Sequence, residues 1–240
     1  MRFYHYPRST ASQKVRLCQH HKGVTFDEER LVDLTRFDQL DPAYLAIHPR
    51  GQVPALVVDG QAITEASIIN EYLEERFPER PLLPADPRRR AAIRGWTKYL
   101  DLGPTVKIAS PTYRLWVAPV LVGADSKALL EVVERAPDET TRARWERTIR
   151  GELGDDEVAA AWAAIDAMLA AMEARLAEGE WLFGDLSLAD LETAPIVARV
   201  GHLGEGDRVR ARPRVQGWFE RIAATPAFAA TYAFLGAAAS

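Results

Sequence analysis

The sequence is most informative at His48-Pro49-Arg50-Gly51-Gln52-Val53-Pro54-Ala55-Leu56-Val57-Val58-Asp59-Gly60. Pro49 and Gly51 interrupt any regular element, so the stretch opens as a loop. Pro54 has no backbone N–H and is tolerated at the first residue of a strand, which predicts a short apolar strand directly after it. Asp59-Gly60 then predicts a tight hairpin turn, and residues 62–64 form the returning strand.

Helical periodicity begins at Glu65, with Thr64 as a candidate N-cap. The apolar stripe that this helix is expected to bury comprises Ile68, Ile69, Tyr72 and Leu73. The strand edge at Val53 offers unpaired backbone groups to a peptide, and the helix N-terminus offers free N–H groups to a carboxylate. The combination suits a small anionic peptide, although an ordinary hairpin packed on a helix has the same pattern.

This stretch resembles the glutathione-binding core of the glutathione S-transferases. Members of that family carry Asn-Pro-x-Gly-Gln-Val-Pro-x-Leu, a hairpin, a Glu-Ser pair and a helix that ends in Tyr-Leu. The match here has two departures, because His48 replaces the Asn and Ala66 replaces the Ser. The resemblance implies that glutathione is the co-substrate.

Local patterns over residues 1–77 predict the element order β-α-β-α-β-β-α, which is compatible with a small mixed sheet covered by helices. Strands are expected at residues 2–6 and 25–31, and proline-rich residues 78–87 are expected to form a linker. By resemblance, the fold class is α+β. An N-terminal thioredoxin-like domain (1–77) precedes an all-α helical-bundle domain (88–240) that carries the electrophile site.

The sequence Leu-Phe-Gly-Asp-Leu-Ser-Leu-Ala-Asp at residues 182–190 also resembles the family, where this pattern is a folding signature. Ser187 and Asp190 have the spacing of a capping box at the start of a helix. The last residues, 237–240, are expected to form a frayed tail.

Composition excludes several classes of protein. The formal net charge of -4 disfavours a nucleic-acid partner, and the chain has no long uncharged apolar run that predicts a membrane span. The single cysteine, Cys18, rules out an intramolecular disulfide framework and suits a reducing cytoplasm. No metal-ligand spacing accompanies the histidines, so no metal is expected. The family resemblance implies a cytoplasmic homodimer.

Glutathione chemistry needs a thiolate, whereas a free thiol of pKa about 8.5 is mostly protonated at pH 7. Ser9 follows the first strand, opens the first helix and begins the family pattern Ser-x-x-x-x-(Lys/Arg)-Val-Arg, so it is the first candidate for activating the thiol. It can equally act only as a helix cap. Ser12 is the second candidate, because the bacterial β-etherase branch of the family resembles this chain more closely at Ser12 than at Ser9. Tyr6, near the end of the first strand, is the third.

Glutathione contacts follow from the resemblance. Val53, before a cis Pro54, is expected to exchange backbone hydrogen bonds with the cysteinyl residue, and Glu65 to bind the γ-glutamyl ammonium. Ala66 lacks the hydroxyl that normally meets the γ-glutamyl carboxylate, so weaker glutathione binding is expected unless Ser67 compensates. The candidates for the glycyl end are Gln52 and Gln39.

The electrophile is expected between the two domains, over Ser9. The candidates for its apolar wall are Tyr6, Pro7, Tyr113 and Trp116, although an aromatic cluster can also be simple core. Four features resemble the bacterial β-etherase branch, which cleaves aryl ethers of lignin fragments with glutathione: residues 50–54, 84–87 and 94–98, and the long charged insert around Trp145. The sequence therefore predicts a glutathione transferase that acts on a hydrophobic electrophile, with ether cleavage or isomerisation as a variant. A non-catalytic binding module on the same fold is the alternative.

Overall fold

The computed structural model describes residues 1–122 and 126–237. Its first part contains one four-stranded sheet of order β2-β1-β3-β4, in which β1 and β2 are parallel and the other neighbours are antiparallel. The strands are β1 Arg2–His5, β2 Glu28–Leu31, β3 Ala55–Val58 and β4 Gln61–Thr64. The mixed sheet and the hairpin of β3 and β4 agree with the predicted element order.

Two predicted strands are longer than the observed ones, for reasons set by hydrogen bonding. Tyr6 was expected in the first strand, but its N–H bonds to the Ser12 hydroxyl, which takes it out of the sheet. The second strand was expected from Thr25, but Glu28 pairs with Arg2, the first residue of β1. The residues before Glu28 therefore have no strand beside them.

Helices cover both faces of the sheet. Alternate residues of a strand point to opposite faces, so Phe3 and Leu56 pack with α1 and α3, whereas Tyr4 and Val53 pack near α2. These helices are α1 Thr10–Lys22, α2 Pro42–Leu45 and α3 Ala66–Arg76. Cys18 is fully buried in α1, as its apolar stripe predicts.

The start and the buried face of α3 differ from the prediction. Thr64 is the last residue of β4, and Glu65 is the N-cap, with a φ of 69°. Ile69 and Leu73 are fully buried, but Ile68 is 54% exposed. The buried face of α3 follows positions 66, 69, 70 and 73, and Ile68 lies outside this repeat of three and four residues.

The rest of the described chain is helical. Its α-helices are α4 Pro87–Leu102, α5 Pro104–Lys107, α6 Ala109–Thr112, α7 Ala118–Leu121, α8 Ser126–Val133, α9 Glu139–Arg150, α10 Asp155–Arg175, α11 Leu188–His202, α12 Asp207–Arg210, α13 Pro213–Ala223, α14 Pro226–Tyr232 and α15 Phe234–Ala237, and a π-helical turn covers Tyr113–Val117. Within the described ranges, no helix combines the length and the apolar character that a bilayer span needs. In the expected frayed tail, residues 238–240 lie outside the described residues.

The start of α11 is held by the predicted capping box. The Asp190 carboxylate accepts hydrogen bonds from the Ser187 N–H and hydroxyl, from the Leu182 N–H, and from the Trp218 indole, all between 2.8 and 3.0 Å. All these bonds lie in the buried interior, so they tie α11 to α13 and to the preceding loop.

Two polar contacts join α3 to the helical part. The Asn70 amide donates to Glu192 Oε1 at 3.1 Å, and both residues are fully buried. Glu192 Oε2 has no hydrogen-bond partner among the described residues. The Ser67 hydroxyl donates to Asp101 at 2.6 Å, and the buried Lys14 ammonium contacts the same carboxylate at 3.0 Å.

The buried Glu192 carboxyl makes the free energy of unfolding depend on pH. Burial is the main cause that raises the pKa of Glu192 to about 7, whereas an ordinary glutamate has a pKa of about 4.3. Between these two pKa values, the folded protein holds a proton on Glu192 that the unfolded chain has already released. The free energy of unfolding therefore falls as pH rises from about 4.5 to about 7. We expect Glu192→Gln, which stays neutral, to gain stability relative to the wild type at pH 8 but not at pH 5, as measured by urea unfolding.

The matched control is Glu75→Gln, which makes the same change at an exposed position of α3. Its stability difference from the wild type should be the same at both pH values. A Glu192→Gln difference that is equally constant would show that Glu192 is already ionised in the folded protein.

Candidate active site

A cavity of about 540 Å³ lies between the sheet domain and the helical part. It is lined by the turn that leads into α1, by the segment after β2 and by the loop before β3. On the other side lie residues of α5, α6, α7, α9 and α11 and of the π-helical turn. Seven residues that the sequence singled out line it together: Tyr6, Ser9, Gln39, Gln52, Val53, Tyr113 and Trp116. The structure thus brings together candidates for thiol activation, for glutathione binding and for the wall of the electrophile site.

Other candidates do not line this cavity. Pro7 was expected in the electrophile wall and Ser12 beside the thiol, but neither contributes to the cavity surface. The remaining candidates outside the lining are Pro54, Glu65, Ala66 and Ser67. Pro54 continues into β3, and the other three lie at the start of α3.

Ser9 caps the first helix and also lies in the wall of the cavity. It is the N-cap of α1, and its hydroxyl oxygen accepts from the Ser12 N–H at 3.3 Å. Its own hydroxyl proton makes no hydrogen bond within the described chain, so it can be donated to an anion in the cavity. The N-terminus of α1 adds a favourable field for negative charge at the same point.

Ser12 is fully buried, three residues into the same helix. Its hydroxyl oxygen accepts from the Tyr6 N–H at 3.3 Å. This bond gives a partner to a backbone donor at the end of β1, which is a structural use of the side chain.

The loop before β3 is shaped by close backbone contacts. Gly51 has a φ of 58°, and a Cβ there would lie 3.1 Å from the Gln39 carbonyl oxygen, so glycine suits the position on both counts. The Tyr44 hydroxyl donates to the Gln52 carbonyl at 2.5 Å. The Val53–Pro54 peptide bond is cis, as the resemblance implies.

His48, which replaces the usual Asn, is a buried residue of this loop. Its ring stacks near Tyr44, with 6.4 Å between the centroids. Burial, aided by the charge of Arg50, lowers the pKa of His48 to about 4, so the imidazole is neutral at pH 7. His48 therefore supports the loop as an uncharged packing residue.

The start of α3 lies beside the loop. The Glu65 carboxylate forms an ion pair with Arg50, and both side chains are about half exposed. Ala66 is buried, and the Ser67 hydroxyl is directed to Asp101. The compensation by Ser67 that the sequence suggests stays a prediction, and in this structure its hydroxyl donates to Asp101.

The sequence did not single out the arginines of the cavity. Arg8, Arg144 and Arg199 line it, and no aspartate or glutamate in the described part of the chain does so. Arg199 lies on α11, and no local pattern in the sequence distinguishes it from a surface arginine. The described residues also hold no cluster of three or more possible metal-ligating side chains.

Two family models match the chain: the N-terminal domain of glutathione S-transferase at residues 3–81, and its C-terminal domain at residues 155–221. The chain is also 32% identical over 235 residues to the maleylacetoacetate isomerase of Pseudomonas aeruginosa, which covers 95% of this chain and 93% of the relative. This chain belongs to the glutathione S-transferase family. Its co-substrate is glutathione, and the α+β fold with a thioredoxin-like first domain and a helical second domain is confirmed.

The β-etherase resemblance is also supported. The chain is 29% identical over 238 residues to the protein LigF of Sphingobium sp. (strain NBRC 103272 / SYK-6), covering 95% of this chain and 91% of the relative. The crystal structure of the beta-etherase LigF from Sphingobium sp. strain SYK-6 superposes with a TM-score of 0.89, over 97% of this chain and 98% of the other. Among known transferases, the chain is thus similar to both an etherase and an isomerase.

Proposed function

We propose that this glutathione transferase binds glutathione along the loop before β3 and uses the Ser9 hydroxyl to stabilise the thiolate. The thiolate then attacks an electrophilic carbon of a hydrophobic substrate in the cavity. The observation that carries the proposal is the free hydroxyl proton of Ser9, which lies in the cavity wall at the N-terminus of α1.

The interactions available at Ser9 are strong enough to lower the pKa of the glutathione thiol. Lowering a thiol pKa by two units requires about 2.7 kcal/mol of preference for the anion. A hydrogen bond to a charged group contributes roughly 1.5–3 kcal/mol, and a helix N-terminus adds about 0.3–1 kcal/mol. Ser9 and the start of α1 together can therefore activate the thiol, and the protein needs no separate base.

Ser9 is a better candidate than the other two. The Ser12 oxygen is buried away from the cavity and is bonded to Tyr6. Tyr6 also lines the cavity with a neutral phenol, but it is not at the N-terminus of α1, so it lacks the favourable helix field that acts at Ser9. We place Tyr6 with Tyr113 and Trp116 in the wall that receives the electrophile.

Glutathione contacts are assigned from the same geometry. We propose that the Val53 backbone pairs with the cysteinyl residue, and that Gln52 and Gln39 meet the glycyl end, since all three line the cavity. The Glu65 carboxylate, now paired with Arg50, would receive the γ-glutamyl ammonium. The Ala66 N–H at the start of α3 would meet the γ-glutamyl carboxylate without a hydroxyl to assist it.

We propose an aryl ether as the first class of electrophile to test, because the beta-etherase LigF superposes over almost the full length of both chains. In that reaction a carbon–sulfur bond forms, the ether carbon–oxygen bond breaks, and the aryloxide leaves with the electron pair. Isomerisation of a metabolite is the second candidate, favoured by the identity to maleylacetoacetate isomerase.

The role of Ser9 can be tested by titrating the ultraviolet absorbance of the thiolate with glutathione bound. We expect a bound-thiol pKa below the free value in the wild type, and a rise of roughly one to two units in Ser9→Ala. The control is Ser12→Ala, which should leave the thiol pKa unchanged and lower stability by about 1 kcal/mol. A wild-type thiol with its ordinary pKa would point to a non-catalytic binding module instead.

Glutathione affinity tests the contacts at α3. We expect Glu65→Gln to weaken binding by about tenfold or more, because the ammonium loses a charged partner. Ala66→Ser should tighten binding by restoring a hydroxyl, and Glu75→Gln, which changes an exposed carboxylate of the same helix, should have no effect. The measurement is calorimetric titration with glutathione, and equal affinities for Glu65→Gln and Glu75→Gln would remove Glu65 from the site.

We further propose a cytoplasmic homodimer with the domain division predicted above, at residues 1–77, 78–87 and 88–240. Large apolar side chains are exposed on the neighbouring helices α3 and α4: Ile68 is 54% exposed, Tyr99 39% and Leu102 71%. Large apolar residues that are exposed on two helices in contact are candidates for a protein-contact surface.

Light scattering on a sizing column tests the homodimer. The wild type should have about twice the 26.7 kDa mass of the chain, and Leu102→Glu should shift it toward the monomer, because a charge would be buried in the interface. The control is Leu31→Glu, which alters a residue that is 62% exposed on β2. Equal effects of the two changes would place the interface elsewhere.

A further inference from the structure

Arg199 is a charged residue inside the molecule. It lies on α11, is 1% exposed, and contributes to the wall of the cavity that also holds Ser9. Burial lowers the pKa of Arg199 to about 10, so the guanidinium is still charged at pH 7. A buried charge of this kind is costly unless something compensates it.

The described residues satisfy little of its hydrogen-bonding capacity. A guanidinium has five N–H donors. The Nη2 atom of Arg199 donates to the Arg8 carbonyl, whereas Nε is buried without a partner. No carboxylate in the described part of the chain forms an ion pair with Arg199, and none is among the charged groups that act on it.

The groups around Arg199 do not supply the missing negative charge. Its guanidinium carbon lies 4.5 Å from the centroid of the Trp116 ring, and Arg8 lies 5.8 Å from the same ring. His202 also stacks on Trp116, and burial together with the Arg199 charge lowers the pKa of His202 to about 4. The Tyr232 phenol donates to Gln13 and stays neutral because burial raises its pKa.

We infer that Arg199 binds a carboxylate carried by the electrophilic substrate, and so makes the transferase selective for acids. The planar guanidinium has more N–H donors than its bond to the Arg8 carbonyl uses, and its geometry matches a carboxylate. The Trp116 ring packs against the guanidinium. The charged side chains that line the cavity in the described part of the chain are all arginines. This inference rests on the proposed function, because it assigns the substrate class of the same cavity.

The proposal can be tested with ready-made conjugates, so that no turnover is needed. The two probes are S-(4-carboxybenzyl)glutathione and its benzoate methyl ester, which differ only in the charge at the far end of the benzyl group. S-Benzylglutathione serves as a neutral reference for the glutathione site. We expect the wild type to bind the acid at least about tenfold more tightly than the ester.

Variants assign this preference to Arg199. Arg199→Met should bind the acid and the ester equally, with S-benzylglutathione affinity and the bound-glutathione thiol pKa unchanged, while Arg199→Lys should keep part of the preference. The matched control is Arg175→Met, since Arg175 is an exposed arginine over the Trp96 and Phe183 rings and lies outside this cavity. It should retain the full preference.

Stability provides a second readout. Removal of an unpaired buried charge should leave the melting temperature of Arg199→Met equal to or above that of the wild type. A purely structural arginine would instead give a lower melting temperature and the same loss of affinity for both probes, which would overturn the inference. If Arg199→Met does not fold, Arg199→Lys carries the test: it should keep only part of the preference for the acid, and an undiminished preference would overturn the inference.

The other outcomes are also distinct. Equal binding of acid and ester by the wild type, with normal binding of S-benzylglutathione, would overturn the inference and leave the proposed function standing. A raised thiol pKa in Arg199→Met would show that the guanidinium serves the sulfur, and would overturn it as well. Failure of all three conjugates to bind would overturn both proposals.

Discussion

The antiparallel pairing of β1 with β3 is the constraint on which the arrangement of the site depends. Tyr4 pairs with Ala55, so the chain that leaves β1 runs past the residues that precede β3. This register brings Val53 and the start of α1 at Ser9 to one cavity. A shift of one residue would turn every side chain of the strand to the other face and separate the two.

Polar side-chain contacts join the sheet domain to the helical part beside an apolar core that the two share. Asn70 meets Glu192, and Lys14 shares Asp101 with Ser67, all at buried or half-buried positions. Such contacts fix geometry more than they add stability, because each buried polar group is costly without its partner. The cavity lies along the same contact, so these polar contacts also fix the positions of its two walls relative to each other.

The cavity itself shows how one residue can have two uses. Ser9 stabilises α1 as its N-cap through its oxygen and keeps its proton for a ligand. Arg199 is a different case, because it bonds to the Arg8 carbonyl and packs on Trp116 while its buried Nε has no partner among the described residues. Its charge in the cavity wall fits the anionic substrate that we propose.

The sequence by itself determined the local features. It predicted the loop and hairpin before α3, the capping box of Asp190 and the N-cap position of Ser9, because each depends on residues a few positions apart. Tertiary structure decided which serine faces the cavity, that Ile68 is exposed, and that Arg199 joins a site built largely from residues far earlier in the chain. These depend on how helices pack across the sheet, and no short-range spacing encodes that packing.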